Sequence, residues 1–161
     1  MYSLLKLIHI GSLVLWLGPA LGSWLVLRYM QRQQGELSPA TGLVYKVFFA
    51  TITLEHVAFC TLLLSGTWMA FSYGWLEMPW LQNKLLLVLL LIVPLEVVDI
   101  WLGNWKVKQL VSHRSAGVAL SENEHALIRF YHRGFTWVAI VLLPPTVLLI
   151  MWLAVSKQGL W

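Results

Sequence analysis

Four long apolar stretches, separated by short polar ones, dominate the chain. The first runs over about residues 4–29, the second over 46–72, the third over 84–105 and the fourth over 128–155. Each exceeds the ~20 residues that carry an α-helix across a bilayer's hydrocarbon core. No run alternates with the period of two expected of strands. The pattern predicts an all-α integral membrane protein, one domain over residues 1–161, folded as a four-helix bundle.

Between the first two spans lies a polar loop holding Gln31, Arg32, Gln33, Gln34, Gly35, Glu36, Ser38 and Pro39. Residues 73–83 hold Gly74, Pro79, Trp75 and Trp80, a turn with aromatics of the kind that sit at membrane interfaces. Residues 106–124 form the most hydrophilic stretch, expected as a loop or a short surface helix. Gly11, Gly18 and Gly22 fall on one stripe of the first helix, and the Gly18–Gly22 pair permits close helix packing or a homo-oligomer. Pro19, Pro94 and the Pro144–Pro145 pair lie inside spans, where each proline removes a backbone donor.

Composition agrees with lipid as the main solvent: 59% of the 161 residues are hydrophobic and 11% charged, against about 25% charged in soluble domains. Mean hydropathy is +0.74. The net charge of +4 does not point to nucleic acid, because the basic residues gather at span ends rather than along a phosphate-tracking stripe. Arg28, Arg32, Lys46, Lys106, Lys108, Arg114, Arg129 and Arg133 flank the first and third connections, whereas Lys6, Lys84 and Lys157 are the basic residues of the other face. By the positive-inside rule, both termini are expected on the non-cytoplasmic side of a bacterial cytoplasmic (inner) membrane. One cysteine, Cys60, excludes an intramolecular disulfide and a Cys-ligated iron–sulfur cluster. It reads as a small packing residue.

Against this background the ionisable residues inside the spans stand out. One near a helix centre costs roughly 2.5–3.5 kcal/mol on insertion scales and as a rule faces the bundle interior. At ~1.5 Å per residue, Glu55, His56 and Glu96 lie about 15 Å from the cytoplasmic end, Asp99 about 10 Å and His132 about 5 Å. His9 lies in the opposite half. Glu96 and Asp99 are three apart and share a helix face, as do His56 and Cys60 at four apart. The expected picture is a polar pocket in which Glu55 and His56 face Glu96 and Asp99, with His132 or Arg133 at its mouth. Of the tryptophans, Trp16 and Trp137 are the two expected to line the interior.

Such buried contacts can simply fix helix packing. Taken together, the set points to a ligand, proton or metal site. Glu55, His56, Glu96 and Asp99 offer ligands suited to iron, manganese or zinc, although the Glu-x-x-His spacing of di-metal bundles is absent. Bis-histidine haem ligation needs two histidines at one depth, for which His56 and His132 are the nearest pair; a haem at His9 would have Met, Lys, water or nothing opposite.

Two segments resemble the HemJ-type protoporphyrinogen IX oxidases, four-helix membrane proteins related to CopD-like domains. One is Leu5-Lys6-Leu7-Ile8-His9-Ile10 with Trp16 and Gly18 following. The other is Trp80-Leu81-Gln82-Asn83-Lys84-Leu85, then Leu87-Val88-Leu89-Leu90-Leu91, with Trp101 further on. Phe130-Tyr131 and Pro145-Thr146-Val147-Leu148-Leu149-Ile150 are similar to the family's last helix. The resemblance implies haem b, with His9 as the first-helix histidine and Lys84 as the lysine opening the third helix. It departs from the family at Leu25, where an arginine is usual, at Val93–Glu96, where a Tyr-His pair is usual, and in having Glu55-His56. A divergent relative is expected: a haem- or metal-binding redox protein linked to quinone or porphyrin. Its cofactor ligands would be His9, His56 and His132, with Lys84, Glu96 and Asp99 catalytic or relaying protons. The alternatives are a CopD-like metal-ion carrier, or an assembly factor of a respiratory complex in which the cluster is structural.

Overall fold

The computed structural model describes residues 1–35 and 38–159 and is helical in every long element. Four helices are long and apolar enough to cross a membrane: α1 (Tyr2–Gln34), α2 (Pro39–Ser72), α3 (Pro79–Ser115) and α4 (Glu122–Ser156). They run up and down in chain order. This leaves both termini at one end, and the eight clustered basic residues at or near the other, called here the basic end.

The helices outrun the expected spans. At 33 to 37 residues each is ~50–55 Å long, against ~30 Å of hydrocarbon. Gln31–Gln34, expected in a loop, continue α1, because Gln31 is buried and bonded across to α2. Glu36, also placed in that loop, lies outside the described residues. The expected hydrophilic stretch 106–124 is helical to Ser115, since Gly103, Val107 and Val111 continue one buried stripe four residues apart. The expected turn 73–83 closes sooner, with a single 3-10 turn (Trp75–Glu77) before Pro79 opens α3.

Local chemistry sets these boundaries. Gly35 ends α1 at φ 88°, a left-handed value that favours glycine. Ser38 caps α2 by accepting from the Thr41 N–H, with Pro39 at the first helical position. Ser121 and Glu124 form a reciprocal capping box on α4. Three stretches are wound as π-helix, Val88–Ile92 and Ile100–Val107 in α3 and Phe130–Phe135 in α4. The first ends two residues before Pro94, whose missing N–H already breaks the regular ladder.

Helix α2 is the centre of the bundle: 44% of its apolar window is buried, against 17% for α1 and α3 and 11% for α4. Two apolar clusters pack around it. One, towards the basic end, holds Leu27, Tyr45, Phe48, Phe49, Ile52, Leu102, Val107, Ile128 and Tyr131. The other holds Trp16, Ala58, Phe59, Leu62, Ile92 and Val147. Large apolar side chains such as Leu7, Val57, Leu64, Leu90, Val141 and Leu148 point outward, as lipid-facing residues do. The fold is a four-helix membrane bundle.

Candidate functional site

Between the two apolar clusters, side chains from all four helices meet. Glu96 is the hub. Its Oε1 accepts the indole N–H of Trp16 on α1 at 2.8 Å, and its Oε2 accepts from His56 Nδ1 on α2 at 3.0 Å. The other ring nitrogen of His56, Nε2, faces Asp99 Oδ2 at 3.8 Å, too far for a direct hydrogen bond. Asp99 in turn is hydrogen-bonded to the hydroxyl of Tyr131 on α4. Glu55 is buried beside them, within electrostatic reach of Asp99 and Glu96, and its Oε1 has no hydrogen-bond partner among the described residues.

Helix geometry explains the convergence. Glu96 and Asp99 sit one turn apart, and Gly103 follows on the same stripe. A Cβ on Gly103 would lie 2.5 Å from the Tyr131 hydroxyl and 3.0 Å from its Cζ, so the absent side chain is what admits the Tyr131 ring. The π-helical winding of Phe130–Phe135 accompanies the burial of Tyr131 and its neighbour His132 together. Tyr131 reaches α3, while His132 turns to α2.

The structure therefore brings Glu55, His56, Glu96 and Asp99 into one layer and leaves His9, Lys84 and His132 out of it. His132 is not at the mouth of the cluster. It lies nearer the basic end, where Arg28 donates to Gln31 Oε1 (2.7 Å), Gln31 Nε2 to the Tyr45 hydroxyl (2.8 Å), and Tyr45 pairs with His132 Nε2 at 3.0 Å. Arg133 is exposed, as is Cys60, which shares a stripe with His56 but faces away from the bundle. Trp16 lines the interior as expected; Trp137 does not, being 56% exposed. One polar partner on another helix, Glu96, holds Trp16, and none among the described residues draws Trp137 inward.

His9 forms a third layer. Its Nδ1 lies 3.0 Å from the Leu62 carbonyl and 3.1 Å from Ser65 Oγ. The Ser65 hydroxyl donates to Thr61 O at 2.7 Å, so Nδ1 must donate, to the Leu62 carbonyl. Gly66 makes room for the ring: a Cβ there would stand 2.8 Å from His9 Cε1. Lys84, half-buried on α3, lies within electrostatic reach of His9. Its neighbour Asn83 is 1% exposed, with neither amide atom partnered among the described residues.

On α2 the three histidine layers map to residues 62–66, 56 and 45. At 1.5 Å per residue they are ~10–17 Å apart, so no two of His9, His56 and His132 are brought to one iron. Among the described residues, no group of three or more His, Cys, Asp and Glu is arranged to hold a metal ion. Within the central layer, each imidazole nitrogen of His56 faces a carboxylate, an arrangement suited to a proton.

Sequence reasoning missed several participants: Tyr131, Tyr45, Gln31, Ser65, and the glycines Gly66 and Gly103. Only the spacing of Gly103, four residues beyond Asp99, offered a signal. Comparison with curated proteins and with solved structures returns no match. A family of predicted integral membrane proteins, DUF2269, matches residues 3–158, so nearly the whole chain, with the central layer, is covered, and the protein belongs to that family.

Proposed function

We propose that this is a proton-handling membrane protein, in which Glu96, His56, Asp99 and Tyr131 relay a proton within the bilayer and Glu55 stores one. Charge balance carries this reading. Three carboxylates surround one imidazole in a layer where Glu55, His56 and Glu96 are each 7% exposed or less. An imidazolium would offset one negative charge and leave two uncompensated. A lipid-embedded interior does not tolerate such a deficit; protons or a cation must make it up. His56 is placed to move a proton between Glu96, bound through Nδ1, and Asp99, opposite Nε2, by a small ring movement or one bridging water.

Proteoliposomes carrying an entrapped pH-sensitive dye test this under an imposed potential. Proton flux above that of empty vesicles is expected, and its loss in Glu96→Gln and His56→Gln proteins that still elute as folded species. Infrared spectra should show protonated carboxyl bands that Glu55→Gln or Asp99→Asn removes. Equal flux with and without protein, together with infrared bands unchanged by all these substitutions, refutes the proposal. Copper or zinc uptake in place of proton flux would make the metal ion the cargo.

A second reading, a haem or metal redox centre, is favoured by one observation at His9. Its Nδ1 is tied to a backbone carbonyl, while Nε2 makes no hydrogen bond among the described residues, the arrangement that orients a ligating histidine. His9 would hold the group through Nε2, and the group would supply electron transfer with a quinone or porphyrin partner. A visible spectrum and elemental analysis of protein purified from a bacterial inner membrane, compared with His9→Ala, decide it.

A further inference from the structure

Polar side chains interrupt the apolar seam between α1 and α2 on the side of the central layer that faces the two termini. His9, Ser12 and Trp16 lie three and four residues apart, on one stripe of α1. His9 meets Leu62 and Ser65 of α2. Trp16 lies against Phe59, with ring centroids 5.3 Å apart, and donates to Glu96. Ser12 falls between the two. It is 7% exposed, yet its hydroxyl makes no hydrogen bond among the described residues. A buried hydroxyl is as a rule partnered, by protein or by ordered water.

The spacing suits water. Along the helix axis Ser12 stands ~4.5 Å from His9 and ~6 Å from Trp16, each close to the ~5.6 Å that one water spans between two hydrogen-bonding groups. The other side of the central layer offers no such steps. There Phe48, Phe49, Ile52, Leu102 and Val107, each 5% exposed or less, fill the bundle with apolar side chains.

We propose that water enters the bundle from the end that carries both termini, runs along the α1–α2 seam and reaches Glu96 past Ser12. Ser12 is a positioning residue: its hydroxyl holds a water midway between His9 and the Trp16–Glu96 pair. In this conformation the central layer communicates with that face of the membrane and is sealed from the basic end. The file rests on the proton reading for its purpose, giving it a side of entry, but it is tested without proton flux.

The test is cysteine accessibility in the full-length protein, reconstituted in lipid nanodiscs on a Cys60→Ala background. The probe is methanethiosulfonate ethylammonium, a small charged reagent that modifies thiolates, which form in water and not in lipid or a packed core. Ser12→Cys should be modified roughly tenfold faster or more than two controls. These are Val107→Cys, 0% exposed on the sealed side, and Val14→Cys, 63% exposed on the lipid-facing side of α1. Intact mass follows each reaction. Ser65→Cys, on the α2 side of the seam, should react like Ser12→Cys and serves if the latter does not fold. No modification at either seam position, or equal rates at the seam and at Val107→Cys, overturns the proposal. Proton flux without seam modification would sink this file alone, whereas seam modification without flux would sink the proton reading alone.

Discussion

Gly103→Ala offers the sharpest test of how the central layer is built. A methyl at this position would stand 2.5 Å from the Tyr131 hydroxyl oxygen, 3.0 Å from Cζ and 3.3 Å from Ile52 Cδ1. Tyr131 is 3% exposed and stacks on Phe135 at 6.0 Å, so its ring has little room to retreat. Two costs follow. Forcing a methyl into a packed interior costs about 1–3 kcal/mol. Displacing the hydroxyl from Asp99 leaves a half-buried acceptor short of a donor, about 1–3 kcal/mol more. A loss of about 2–6 kcal/mol is therefore expected in detergent-induced unfolding followed by tryptophan fluorescence. Tyr131→Phe removes the hydroxyl that the methyl would strike, so the two substitutions should combine to markedly less than the sum of their separate effects. A Gly103→Ala protein as stable as wild type, or full additivity with Tyr131→Phe, would show that the glycine does not serve the tyrosine.

Three further expectations follow from the same geometry. Trp16→Phe removes the indole N–H that Glu96 accepts at 2.8 Å; unfolding should become easier by about 1–3 kcal/mol, and the Glu96 carboxylate band should move in the infrared. Gly66→Ala drives a methyl into the His9 ring, 2.8 Å from Cε1, and should cost about 1–3 kcal/mol without altering those carboxyl bands, because His9 lies in another layer. Tyr45→Phe breaks the link between Gln31 and His132 and should cost about 1–3 kcal/mol in the same unfolding assay.

Much of the architecture was legible in residue order alone. Apolar length sets the number of spans, because a bilayer leaves backbone polar groups no partner but their own helix. The cost of ionisable groups in lipid marks Glu55, His56, Glu96 and Asp99 as residues that turn inward. The helix ends were less legible: Gln31 to Gln34 read as loop and 106–115 as loop or a short surface helix, yet both continue the spanning helices because Gln31, Val107 and Val111 find partners on neighbouring helices. Depth estimates placed His132 within about 10 Å of His56, but depth says nothing about azimuth. Which carboxylate meets which ring nitrogen, and why Trp16 and Tyr131 join while Cys60 and Trp137 face away, depends on helix rotation. That rotation is set by close contacts such as those at Gly66 and Gly103. A linear pattern encodes what each residue would avoid; only the packed bundle decides what each one meets.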